Sequence, residues 1–220
     1  MRAIAFGIAT AACVAASASA GLVNPLIPGW AGTTQTTSAA WESFTQANGG
    51  ANLPDQAGSA PYSLMNFAPG ATITGSGNLY GAGSALYIMI MGGTLGNAAS
   101  PTELVMNVAT AGSLLNTSSV RLSLFDNAGN FAQYAPSASE LRADAPSPPQ
   151  GSAQTWAFTW SLPNPTFAAT GFRIEFLASA QFMALDAVRI DANFTPIPAP
   201  GAFMLLAGAG ALVARRRRAN

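Results

Sequence analysis

Few residues in this chain could do chemistry. The 220-residue sequence has no histidine and no lysine, and its one cysteine, Cys13, lies inside an N-terminal apolar run. A Ser-His-Asp or Cys-His nucleophile, a zinc site of the usual ligands and a histidine general base are therefore excluded, and no intramolecular disulfide can form. Carboxylates remain. Glu42, Glu103, Glu140, Asp144 and Glu175 are of the type that glycoside hydrolysis uses as an acid and base pair, yet nothing in their spacing brings two together. Glu175 and Asp191 alternate with Arg173 and Arg189, the pattern of solvated surface charges. The sequence names no catalytic residue, no metal site and no cofactor, and it reads as non-enzymatic.

Binding chemistry is the other possibility. Asp126-Asn127-Ala128-Gly129-Asn130 offers oxygen ligands of the kind calcium takes, but with one carboxylate in place of three it reads first as a hairpin turn. Gly75-Ser76-Gly77 and Gly81-Ala82-Gly83 lack the Lys and Ser/Thr of a phosphate-cradling loop and read as turns. Trp30, Trp41, Trp156 and Trp160 either stack on sugar faces if exposed or fill a core if buried; alternation favours the core for Trp156 and Trp160. Between the terminal segments four arginines stand against nine carboxylates, a balance that repels nucleic acid.

The elements that must carry these residues are strands. No long stretch has a period of 3.6, whereas short β-favouring runs recur between Gly, Pro, Asn and Ser clusters. Val120, Leu122 and Leu124 alternate with Arg121 and Ser123 and lead through the Asp126 turn to a return strand at Phe131 to Tyr134. Trp156, Phe158, Trp160 and Leu162 alternate with Ala157, Thr159 and Ser161, as do Phe172, Ile174 and Phe176 with Arg173 and Glu175. Leu86 to Met91 is continuously apolar, which predicts a central strand buried on both faces. A last strand puts Val188, Ile190, Ala192 and Phe194 on one face. Further signals near 41–45, 71–74, 78–80 and 103–108 bring the count to about nine, suited to a sandwich or jelly roll; a closed barrel is the alternative. Segments 136–154 and 46–61 read as surface loops. The expected fold is a single all-β sandwich, jelly-roll-like, over 21–195.

The two ends read as addresses. Arg2 precedes an apolar, alanine-rich run that closes in Ser17-Ala18-Ser19-Ala20. That is a signal peptide helix over 1–20, with Ala18 and Ala20 as the small residues read by signal peptidase and cleavage after Ala20. At the other end Pro196-Ile197-Pro198-Ala199-Pro200-Gly201 is followed by the uncharged stretch 202–214 and by Arg215, Arg216, Arg217 and Arg218. Prolines keep the first part extended and open to a processing enzyme. As a helix the span 201–214 is only about 21 Å long against a hydrocarbon core of about 30 Å, a mismatch met by local thinning or snorkelling. The arginines favour the cytoplasmic side and so leave the domain outside.

This tail resembles the PEP-CTERM sorting signal read by exosortase membrane proteases. Pro198, Ala199 and Pro200 occupy the Pro-Glu-Pro triplet, 202–214 the membrane helix and Arg215 to Arg218 the basic stop, and the resemblance covers 196–220 only. The departure is Ala199, where the family has glutamate. The resemblance implies an exported bacterial protein, anchored first in the inner membrane and then placed at the cell surface or in the extracellular matrix, with signal peptidase and an exosortase as processing partners. An uncut tail anchor is the alternative reading of the same segment. The stretch Ala184-Leu185-Asp186-Ala187-Val188-Arg189-Ile190 also looks like the last strand of carbohydrate-binding jelly rolls, which makes a surface polysaccharide the candidate ligand. A glycan-binding module would line a concave sheet face with exposed aromatics; a glycosidase would cluster two carboxylates in a cleft.

Overall fold

The computed structural model describes residues 21–95, 99–147, 151–162 and 167–196. The signal peptide, the sorting triplet, the apolar stretch and the arginine cluster expected from the sequence lie outside these residues. Among the described residues every regular element is a strand, and no helix is long and apolar enough to cross a membrane.

Thirteen strands form: β1 (Thr36–Trp41), β2 (Gln56–Ala57), β3 (Tyr62–Asn66), β4 (Thr72–Ile73), β5 (Leu79–Tyr80), β6 (Tyr87–Gly93), β7 (Ala99–Gly112), β8 (Leu115–Phe125), β9 (Phe131–Tyr134), β10 (Ala138–Pro146), β11 (Ser152–Ser161), β12 (Gly171–Ala178) and β13 (Met183–Pro196). They make two antiparallel sheets. One runs β10-β11-β7-β13-β1-β2, with β5 also on β13 and β4 on β5; the other runs β3-β6-β12-β8-β9.

The sheets share one core because each long strand alternates. Trp41, Leu104, Met106, Val108, Phe158, Trp160, Val188, Ile190 and Phe194 face inward from the larger sheet; Leu64, Ile88, Ile90, Leu122, Leu124, Phe172, Ile174 and Phe176 face them from the smaller, all within 1% of full burial. Each such side chain contributes roughly 1.5–3 kcal/mol on leaving water, and with no disulfide available this burial is what holds the sandwich. Tyr62 bridges the layers, edge-on to Trp41 at 6.3 Å and to Phe172 at 5.9 Å.

The outer side of the larger sheet is covered too. Segment 21–35 crosses it before entering β1: Val23 N donates to Thr155 Oγ1 at 3.1 Å, and Leu26 bonds to Asn107 through both its amide and its carbonyl. Beneath it Val105, Asn107, Ala109, Thr155 and Ala157 are buried although they point away from the core.

Four sequence expectations change. Segment 136–154 is not a loop: β10 and the start of β11 occupy it, paired from Ala138↔Thr159 to Pro146↔Ser152. Its prolines misled because β10 is an edge strand, bonded on one side only, where a missing N–H costs little. The strand expected at 41–45 lies at 36–41, built from Thr, Ser and Ala with no apolar run to announce it. The run from Leu86 is buried on one face only: in β6, Ile88 and Ile90 are inside, while Tyr87, Met89 and Met91 are half-buried outside. Asp191, expected in solvent, is 1% exposed, held by Arg189. The 46–61 excursion keeps its loop character apart from β2, and two buried asparagines organise its surroundings. Asn52 Oδ1 accepts from the amides of Thr45 and Gln46, each at 2.8 Å, and Asn66 Nδ2 donates to the carbonyls of Ala47 and Ala68 at 2.9 and 3.0 Å.

Candidate functional site

None of the four tryptophans is fully exposed: Trp30, in segment 21–35, is half-buried. Trp41 and Trp160 are buried, and Trp156 is half-buried against the core, with its Nε1 on Gln154 Oε1 at 2.9 Å. The carboxylates do not converge as a set: Glu175 stands on the smaller sheet, while Glu103, Glu140 and Asp144 lie on the larger one and Glu42 at the end of β1. Among the described residues no three acidic groups come together as a metal site. The Asp126 stretch is the β8–β9 turn. Asp126 accepts from Ala128 N, Asn130 N and Asn130 Nδ2 at 2.7–2.9 Å, and the Asn130 amide foremost holds its pKa below the usual value. Both of its oxygens are engaged inside the turn.

The outward side of the smaller sheet is different, because among the described residues no segment crosses it as 21–35 crosses the larger one. Strand register sets its grid. Arg121 of β8, Glu175 of β12, Met89 of β6 and Met65 of β3 form one cross-strand row; Gln133, Ser123, Arg173, Met91 and Ser63 form the next; Phe131, Phe125, Gly171 and Gly93 form the third. Across these rows runs a diagonal of touching side chains. Phe67 lies against Tyr87 with ring centroids 6.0 Å apart. The Tyr87 hydroxyl donates to Glu175 Oε1, the Glu175 carboxylate pairs with Arg173 Nη2 at 3.1 Å, and the Arg173 guanidinium sits 5.9 Å above the Phe131 ring, within cation–π range. The bond to Glu175 is the first cause of a raised Tyr87 pKa: the phenol stays protonated and the carboxylate stays its acceptor. Phe67 and Phe131, at the two ends, are 44% and 57% exposed.

In the third row the sheet dips. Gly93 and Gly171 sit opposite each other with outward positions that hold no side chain, and a Cβ at either would meet Pro61 at 2.8 Å or the Phe125 ring at 2.7 Å. The result is a depression of about 350 Å³, floored by glycine, walled by Pro61 and Phe125, and edged by Ser63, Met91 and Thr170. A second cavity, of about 320 Å³, lies under the start of the crossing segment, between Gly21, Val23, Asp144 and Thr155.

No family model matches the chain, and no match was found among curated proteins. The site therefore rests on its own geometry. Sequence reasoning missed the diagonal because Phe67, Tyr87, Phe131 and the Arg173–Glu175 pair come from four separate segments that only the topology brings together. Besides the Arg173 and Glu175 charge alternation, the local signal was the alternation of Tyr87, Met89 and Met91, hidden inside a run read as fully buried.

Proposed function

We propose that this chain is an exported bacterial cell-surface or extracellular-matrix protein, non-enzymatic, whose jelly-roll domain is delivered by a cleaved signal peptide and sorted by an exosortase-type tail. The jelly-roll reading is supported by the strand order. The first long strand, β1, pairs with the last, β13, and the chain alternates between sheets through β6, β7, β8–β9, β10–β11, β12 and β13, as two Greek keys require.

The functional reading is supported by where the described strands stand relative to the two segments read as addresses. Among the described residues the first bond to the larger sheet is made by Val23, three residues after the proposed cleavage, and the last pair of the β13 ladder is Pro196↔Ala99, two residues before the Pro198-Ala199-Pro200 triplet. Every strand and core side chain named for the sandwich thus comes from residues 36–196, between the two segments proposed for removal.

The test is to express the full chain in its native host, fractionate the cells and measure intact mass. A product that begins at Gly21, lacks the arginine tail and is found outside the inner membrane is the expected result. A product that keeps Arg215 to Arg218 in the inner membrane makes the protein a simple anchored ectodomain and overturns the sorting reading.

A further inference from the structure

We infer that the outward face of the five-stranded sheet binds a neutral polysaccharide, lying along the diagonal from Phe131 to Phe67 with one sugar ring in the glycine-floored depression beside Phe125.

The chemistry of the line favours a sugar. A pyranose ring has apolar C–H faces and a rim of hydroxyls, each able to donate once and accept twice. The diagonal offers the complement in order: an exposed ring, a guanidinium donor, a carboxylate acceptor, a phenol and a second exposed ring. Arg173 and Glu175 are already paired at 3.1 Å, so the line presents a donor next to an acceptor with no net charge, which matches a vicinal diol better than it matches an anion or a cation. Arg173 Nε is buried without a hydrogen-bond partner among the described residues, so donation to a sugar falls to the rest of the guanidinium, on a side chain that is 32% exposed. The contacts to Tyr87 and Phe131 hold both charged groups in place before a ligand arrives, which lowers the ordering cost of binding.

The charge distribution points the same way. On the smaller sheet and its turn, Arg121 and Arg173 balance Glu175 and Asp126, and Asp126 is spent on its own turn. The other seven carboxylates, Glu42, Asp55, Glu103, Glu140, Asp144, Asp186 and Asp191, belong to the larger sheet or its loops, with only Arg142 and Arg189 against them. An acidic polymer is thus repelled by the part of the chain between the terminal segments and gains no spare cationic cluster on this face. The depression, at about 350 Å³, falls at the small end of ligand-binding cavities, the size of a single ring. Pro61 and the Phe125 ring pack close over Gly93 and Gly171, so a sugar ring in the depression meets the apolar surfaces of these two side chains.

The inference goes beyond the sorting reading and stands whether or not the tail is cut. The experiment is native affinity electrophoresis of the detergent-solubilised full chain through gels containing laminarin, mixed-linkage glucan, galactomannan or xyloglucan, with alginate as the acidic comparison. Retardation in at least one neutral gel, insensitive to salt, is expected. Phe131→Ala and Arg173→Met should each weaken it about tenfold or more, while Phe182→Ala, an equally exposed phenylalanine elsewhere on the surface, leaves it unchanged. Because Phe131 is more than half exposed, its removal leaves the core intact, and Glu175→Gln provides a second, shape-conserving variant expected to weaken binding. No retardation in any neutral gel, retardation that all variants share, or salt-sensitive binding to alginate alone would each overturn the inference.

Discussion

Asn107 and Leu26 exchange a closed pair of hydrogen bonds: Asn107 Oδ1 accepts from Leu26 N at 2.7 Å while its Nδ2 donates to Leu26 O at 3.0 Å. One buried amide side chain thus does for the crossing segment what a strand neighbour would do.

Asn107→Ala removes both partners of a backbone unit in a covered position. It is expected to lower stability by about 2–3 kcal/mol, and hydrogen exchange should show segment 21–35 opening before β7. Asn107→Leu, similar in size but without the amide, should cost as much. A loss below the measurement error in chemical denaturation would mean that the segment is held by its apolar contacts alone.

Asp186 gives the protein a pH dependence of unusual sign. Burial pushes its carboxyl up to about 7 from 3.8. The folded state therefore keeps the proton in a range where the unfolded chain has lost it. The contribution of Asp186 to stability is full below about pH 4, falls as pH rises toward 7, and is flat above. Asp186→Asn keeps an acceptor for Asn78 Nδ2, now 2.5 Å from Asp186 Oδ1, and should flatten the profile while stabilising the protein above pH 7 by about 1–3 kcal/mol. Denaturation midpoints from pH 4 to 8 test both statements.

Arg189 and Asp191 form a bidentate pair, both bonds 2.8 Å, in which the arginine is 31% exposed and the aspartate 2%. Removing the wetter partner strands the drier charge. Arg189→Met should therefore cost more, about 3–4 kcal/mol, than Asp191→Asn, at about 1–2 kcal/mol. The reverse order in urea titrations would place the pair in a wetter setting than its burial indicates.

Gly112 closes β7 at φ +86°, and a Cβ there would be driven into the carbonyl oxygen of Phe182. Gly112→Ala combines a left-handed backbone with a collision against main chain and is expected to cost about 3 kcal/mol. Gly129→Ala, at φ +89° but in open space, should cost only the backbone share, about 1 kcal/mol. The difference between their thermal midpoints isolates the collision.

The strands that alternate, β8, β11, β12 and β13, were legible because one face meets the core and the other does not. β1 and β10 were not, since Thr36–Trp41 is mostly small and polar, and β10 is an edge whose residues are nearly all exposed. The burial of Asp191 escaped the pattern for another reason: strict alternation assigns a face but cannot tell that a face is covered. For the site, the Arg173–Glu175 pair was visible as a charge alternation, whereas its continuation to Tyr87, Phe67 and Phe131 depends on β6 and β9 sitting where they do.

The long ladder between β13 and β7, from Met183↔Gly112 to Pro196↔Ala99, has a mechanical consequence. A pull on the chain beyond Pro196, with the domain gripped elsewhere on its surface, acts along the axis of β13. That strand is flanked by β7 on one side and β1 on the other, and antiparallel hydrogen bonds lie perpendicular to the strand. Tension from the tail therefore loads both ladders in shear, all bonds at once, instead of peeling them one by one. A tether leaving by its innermost strand is suited to bearing force.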